Sequence, residues 1–74
     1  MNNMPIPKMI PVTSSHIVSI GHDGENLYIQ FKDGALYIYY KVPQAIYQNM
    51  MAAESKGSIL HRMIDKAYRY ERLE

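Results

Sequence analysis

Between residues 27 and 40 apolar and polar positions alternate with a period of two, broken once at Asp33-Gly34. Leu27, Ile29 and Phe31 interleave with Tyr28, Gln30 and Lys32, and Ala35-Leu36-Tyr37-Ile38-Tyr39-Tyr40 follows the break. Successive side chains of a strand point to opposite faces, and aromatic and β-branched residues suit that pleated surface. The stretch therefore predicts a β-hairpin closed at Asp-Gly. Residues 16–22 predict a shorter strand before it. Val18 and Ile20 share one face there and Ile17 lies on the other, so a bulge or two-sided burial is expected. Asp23-Gly24-Glu25-Asn26 reads as the turn between the first two strands.

After Val42 the period becomes helical. Pro43 suits the first position of a helix, and Ile46, Met50 and Ala53 recur along one face, widened by Tyr47 and Met51. Gly57 suits the end of that helix. Ser55 or Ser58 caps a second helix, expected over about residues 58–70 with Leu60, Met63, Ile64 and Ala67 as its apolar face. The fold class expected is α+β: a three-stranded antiparallel β-meander with two C-terminal helices packed on one face, in the order β-β-β-α-α. Prolines at positions 5, 7 and 11 and the lack of any period make residues 1–11 a flexible tail, leaving 12–74 as a single domain.

The turn at Asp33-Gly34 leaves two registers open. A two-residue turn pairs Phe31 with Leu36 and sends Leu36, Ile38 and Tyr40 inward. A three-residue turn with a left-handed Gly34 pairs Phe31 with Ala35 and sends Tyr37 and Tyr39 inward. Composition leans to the first, because Leu and Ile are better core residues than Tyr.

Seventy-four residues without cysteine make one small core, worth ~3–5 kcal/mol, with no disulfide or thiolate site to reinforce it. The apolar share of 47% argues against a disordered chain. Nothing approaches a membrane-spanning run, and the proline-broken start is unlike a signal peptide, so a cytoplasmic protein is expected. The net charge of +1 is no nucleic-acid footprint overall, but Lys56, Arg62, Lys66, Arg69 and Arg72 all fall in the second half.

An ordered series of residues resembles the KTSC domain: Pro11-Val12-x-Ser14-Ser15-x-Ile17, Ile20-Gly21, Leu27-x-Ile29-x-Phe31, Gly34, Tyr37-x-Tyr39, Val42-Pro43, Tyr47, Ala53-Glu54-Ser55-Lys56-Gly57, Ile64 and Tyr68. Similar domains occur at the C-terminus of some lysyl-tRNA synthetases and as small bacterial and phage proteins. His22 departs from the pattern, which commonly has Tyr there. The resemblance implies the bulged register, with Phe31, Tyr37 and Tyr39 on the covered face. Leu36 and Ile38 are then expected on the open face with Tyr40, forming a candidate contact patch for a protein partner or a homodimer.

Candidate chemistry is sparse. His16, His22 and His61 match no zinc spacing, and adjacent Ser14, Ser15 and His16 cannot assemble a nucleophile, base and orienting group. No metal site, cofactor or enzymatic activity is expected. Arg62, Lys66 and Arg69 follow i, i+4, i+7 spacing and would share one face of the second helix, with Lys56 near its start. Such a face can meet phosphates. Tyr is abundant, and Tyr28 and Tyr40 are expected to be exposed and able to stack on bases. The function expected is a non-enzymatic binding module, with RNA as the leading partner and a protein partner or homodimer as the alternative.

Overall fold

A computed structural model describes residues 6–74. Five strands run in the order β1 (Ile10–Pro11), β2 (Ile17–His22), β3 (Leu27–Phe31), β4 (Leu36–Tyr39) and β5 (Tyr70–Arg72), each antiparallel to its neighbour. Helix α1 (Gln44–Ala52) and helix α2 (Lys56–Ile59), the latter continued by a π turn over Leu60–Ile64, lie between β4 and β5 in the chain. The expected three-stranded meander is thus the centre of a wider sheet.

Both edge strands were unforeseen. Ile10 and Pro11, expected in the tail, pair with Ile20 and Ser19, and Val12 N–H donates to the Val18 carbonyl at 3.1 Å. The second helix, expected to reach residue 70, stops at Ile64, and the chain returns along β4. Of the apolar face expected for that helix only Leu60 and Ile64 are buried, because Met63 is 36% exposed and Ala67 lies in solvent. Beyond Ile64 the free edge of β4 supplies partners for backbone groups: Tyr40 N–H donates to the Arg69 carbonyl at 2.8 Å, and Leu36 N–H to the Glu74 carbonyl at 3.1 Å.

The three-residue turn is the one formed. Phe31 N–H donates to the Ala35 carbonyl at 2.8 Å, Gly34 N–H to the Phe31 carbonyl at 3.0 Å, and Gly34 has φ +96°, where a side chain would be strained. Asp33 Oδ1 accepts from Ala35 N–H at 2.9 Å and closes the turn. Ile29 stands opposite Tyr37 and Leu27 opposite Tyr39, which puts the Tyr-x-Tyr pair on the helix side of the sheet. In β2 the register slips between Ile17 and Ser19. This bulge sends both Ile17 and Ile20 into the core and releases Val18 to 41% exposure.

The core lies between the sheet and the helices: Ile17, Ile20, Leu27, Ile29, Tyr39, Val42, Met50, Leu60 and Ile64 are buried together. Met50 carries the apolar face of α1, with Ile46, Tyr47 and Met51 packed beside it. Ser55 caps α2, its hydroxyl accepting from Ser58 N–H at 3.3 Å. His22 ties the end of β2 to the start of α1. Its Nδ1 accepts from Gly24 N–H at 3.1 Å, which leaves Nε2 to donate to the Val42 carbonyl at 2.6 Å, and the ring stacks on Tyr47 at 5.3 Å.

The opposite face of the sheet is not open. Leu36 and Ile38 do point away from the helices, but they are 6% and 1% exposed, so the expected contact patch is absent as a surface. The register gives the reason. Ile38 stands between Tyr28 on β3 and Glu71 on the unforeseen β5, and between Leu36 and Tyr40 along its own strand. At the head of that row Gly21 is closed over by residues 7–9: a Cβ there would sit 2.7 Å from Met9 Sδ and 2.8 Å from the Lys8 carbonyl. Among the described residues no helix is long and apolar enough to cross a membrane.

Candidate functional site: an aromatic cleft at the β4–β5 edge

Tyr37 and Tyr39 alternate with Leu36 and Ile38, so the pleat presents them on the helix side. The pairing of β5 adds Arg72 opposite Tyr37 and Tyr70 opposite Tyr39 on that same side. Leu60, Asp65 and Lys66 border this end of the sheet. A graded aromatic row results. The Phe31 ring meets Tyr37 edge-on at 5.5 Å, Tyr37 stacks with Tyr39 at 6.3 Å, and Tyr70 tilts against both at 5.7 and 5.4 Å. Tyr39 is 3% exposed, Phe31 and Tyr37 are half-buried, and Tyr70 is 50% exposed. The row lines a cleft of about 520 Å³ whose rim carries Lys66 and Arg72, with Asp33 and Asp65 in its walls.

A second cleft, of about 860 Å³, is lined by Tyr40, Lys41, Tyr68, Arg69, Tyr70 and Glu71. Tyr70 lines both clefts, one carrying Lys66 and Arg72 and the other Lys41 and Arg69. The one side-chain ion pair within 4 Å among the described residues is His61 to Asp65, at 3.8 Å. Arg72 Nε donates to the Glu74 main-chain oxygen at 2.9 Å, while Lys41, Lys66 and Arg69 have no carboxylate partner within 4 Å among the described residues. Lys41 has φ +57°, a left-handed conformation held by its N–H bond to Asn26 Oδ1 at 3.0 Å.

Hydroxyl chemistry in the clefts is set by burial and by neighbouring carboxylates. Burial raises the Tyr39 phenol well above its ordinary value, and Asp65, whose Oδ1 accepts from the hydroxyl at 3.4 Å, raises it further. Tyr40 is also raised, mainly by donating to Glu71 Oε1 at 2.5 Å. Both remain protonated donors at neutral pH.

The predicted nucleic-acid residues separate in space. Lys66 reaches the aromatic cleft and Arg69 and Tyr40 the second one. Arg62 lines a third surface with Ser15 and His16. The expected i, i+4, i+7 stripe does not exist, because the helix ends before Lys66. Lys56 is engaged locally, its Nζ donating to the Ala53 carbonyl at 2.6 Å just past α1. Tyr28, expected to be exposed, is 1% exposed, and its hydroxyl donates to Asp23 Oδ2 at 3.3 Å. Burial and that carboxylate raise its pKa. Burial raises Asp23 in turn, but donors from Asn26, Glu25 and Tyr28 outweigh it and hold the carboxyl below its usual range. The sequence reading missed Tyr37, Tyr70, Arg72, Lys41 and Asp65 as site residues. No periodicity marks Tyr70 and Arg72, because their strand is only three residues long. Among the described residues no three His, Asp or Glu side chains gather in a way that would hold a metal.

Fold and site together define a small α+β domain with a five-stranded antiparallel sheet and an aromatic, cation-rimmed cleft at one edge. The family model for the KTSC domain matches residues 13–68, and the chain belongs to that family. The crystal structure of a KTSC domain protein from Yersinia pestis superposes with a TM-score of 0.86 at 36% identity, covering 90% of this chain and 97% of the other. A protein of Tsukamurella paurometabola is 36% identical over 63 residues, covering 82% of this chain and 94% of its own length. A lysine–tRNA ligase of Nostoc is 35% identical over 49 residues, which is 66% of this chain but 9% of the ligase.

Proposed function

We propose that this domain is a non-enzymatic binding module for single-stranded RNA, with the aromatic row as its stacking surface. The observation that carries the reading is Tyr70: half-exposed, tilted against Tyr37 and Tyr39, and lining both the cleft of Lys66 and Arg72 and the cleft of Lys41 and Arg69. Base–aromatic stacking contributes ~1–3 kcal/mol per base and tolerates any sequence, while lysine and arginine beside the ring follow the phosphates. The likeness of residues in lysine–tRNA ligases to this chain supports an RNA ligand and a cytoplasmic setting. The alternative, a protein partner or second copy seated on Leu36 and Ile38, has lost its surface, because both side chains are buried.

Titration of a labelled single-stranded oligoribonucleotide at low salt tests the reading. Tyr70→Ala should weaken binding roughly tenfold, and reversing Lys66 and Arg72 to Glu should lower the salt slope by about one for each phosphate no longer neutralised. Absence of binding by the unaltered protein at low salt refutes it.

A further inference from the structure

Asp65 has no obvious place in a cleft that follows phosphates, since a carboxylate repels them. Its position is nevertheless closely fixed. The Asp65 N–H bonds to the Leu60 carbonyl, five residues back, at 2.8 Å, where an α-helix would bond four back. This π turn buries Leu60 and Ile64 and brings the Asp65 side chain round to the Tyr39 hydroxyl. Turns of this kind are rare and occur often at functional sites. Oδ1 accepts from Tyr39 at 3.4 Å, Oδ2 lies 3.8 Å from His61 Nδ1, and the side chain is still 37% exposed. It lines the same cleft as Tyr37 and Tyr70.

An ionised carboxylate only accepts hydrogen bonds, and its two oxygens match two parallel donors. Among the four bases, guanine alone offers adjacent N1–H and N2–H donors on its Watson–Crick edge. Uracil has one N–H between two acceptors, and adenine and cytosine have one amino group beside an acceptor. Resting on the single-stranded RNA reading, we infer that the cleft selects guanine: Asp65 accepts the N1–H and N2–H pair of a guanine stacked on Tyr37 or Tyr70. Tyr39, which donates to the same carboxylate, is a positioning residue.

Fluorescence anisotropy with three short RNAs tests this: an all-uridine strand, the same strand with one central guanosine, and the same strand with inosine there. Inosine keeps N1–H and lacks the N2 amino group. The guanosine strand should bind roughly tenfold tighter than the uridine strand, within the range for a bidentate base contact, and inosine should forfeit most of that gain. Asp65→Asn should bring the guanosine strand down to the affinity of the uridine strand. Binding of all three strands with equal affinity overturns guanine selection and leaves the stacking reading standing. Binding of none overturns both. A guanosine preference that survives in Asp65→Asn overturns the assignment of that selection to Asp65. Should Asp65→Asn fail to fold, the inosine comparison on the unaltered protein still decides.

Discussion

Replacing Ile38 by alanine asks whether the sheet face away from the helices is core or surface. Ile38 is 1% exposed and stands between Tyr28 and Glu71 across the strands. Removing its three outer carbons leaves a cavity, and Ile→Ala changes in cores cost ~2–5 kcal/mol. The near-complete burial of Ile38 places the expected cost near the middle of that range, at ~3 kcal/mol. For a domain of this size that lowers Tm by roughly 12–24 °C, against a total stability of ~3–5 kcal/mol. Thermal denaturation followed by circular dichroism measures it, with Val18→Ala, at 41% exposure, as the control expected within ~0.5 kcal/mol of the parent. Leu36→Asp places a charge where only 6% of the residue meets solvent, and should leave the chain unfolded at about 25 °C. Equal Tm shifts for Ile38→Ala and Val18→Ala, or a folded Leu36→Asp protein that has merely lost self-association, would refute the burial of this face and restore the contact patch.

Gly21→Ala puts a methyl group 2.8 Å from the Lys8 backbone carbonyl, so residues 7–9 must move. A cost of ~1–3 kcal/mol and faster amide exchange at Val12 are expected, and unchanged exchange there would contradict the close approach. The raised phenols of Tyr28 and Tyr39 make stability depend on alkaline pH. Their folded pKa values exceed the unfolded value of 10.0, so the folded state holds more protons above that point. The contribution is complete below pH 10 and is lost as pH rises towards the folded values. Urea midpoints should fall above about pH 10, less steeply in Tyr39→Phe, and a flat profile in the parent would contradict the assigned burial.

The centre of the fold was legible because one pattern dominates it. Period-two alternation over residues 27–40 marks a hairpin, and helical spacing of Ile46 and Met50 marks a helix, whatever surrounds them. The register was not decidable from the residues alone, because Leu36 and Ile38 compete with Tyr37 and Tyr39 for the core. The structure buries all but the half-buried Tyr37, one pair on each face, so burial preference could not choose between the two turns. The edge strands were illegible for another reason. Ile10–Pro11 and Tyr70–Arg72 are too short for periodicity and exist because β2 and β4 offer unpaired backbone. Candidate residues on the expected second helix failed with it: spacing places Arg62, Lys66 and Arg69 on one face only while the helix continues.

The premature end of that helix is also what makes the cleft. Had residues 65–70 stayed helical, Tyr70 and Arg72 would stand beyond the sheet, and Tyr37 would border an open strand edge. By turning at Ile64 the chain does two things within a few residues. It swings Asp65 onto the Tyr39 hydroxyl, and it lays β5 beside β4 so that Tyr70 and Arg72 join Tyr39 and Tyr37. The same strand adds Glu71 to the opposite face, where it borders Ile38 and takes the Tyr40 hydroxyl. One short edge strand thus shapes a cleft on one side of the sheet and closes a hydrophobic surface on the other. That is why the surface predicted from sequence and the cleft observed lie on opposite faces of the same two strands.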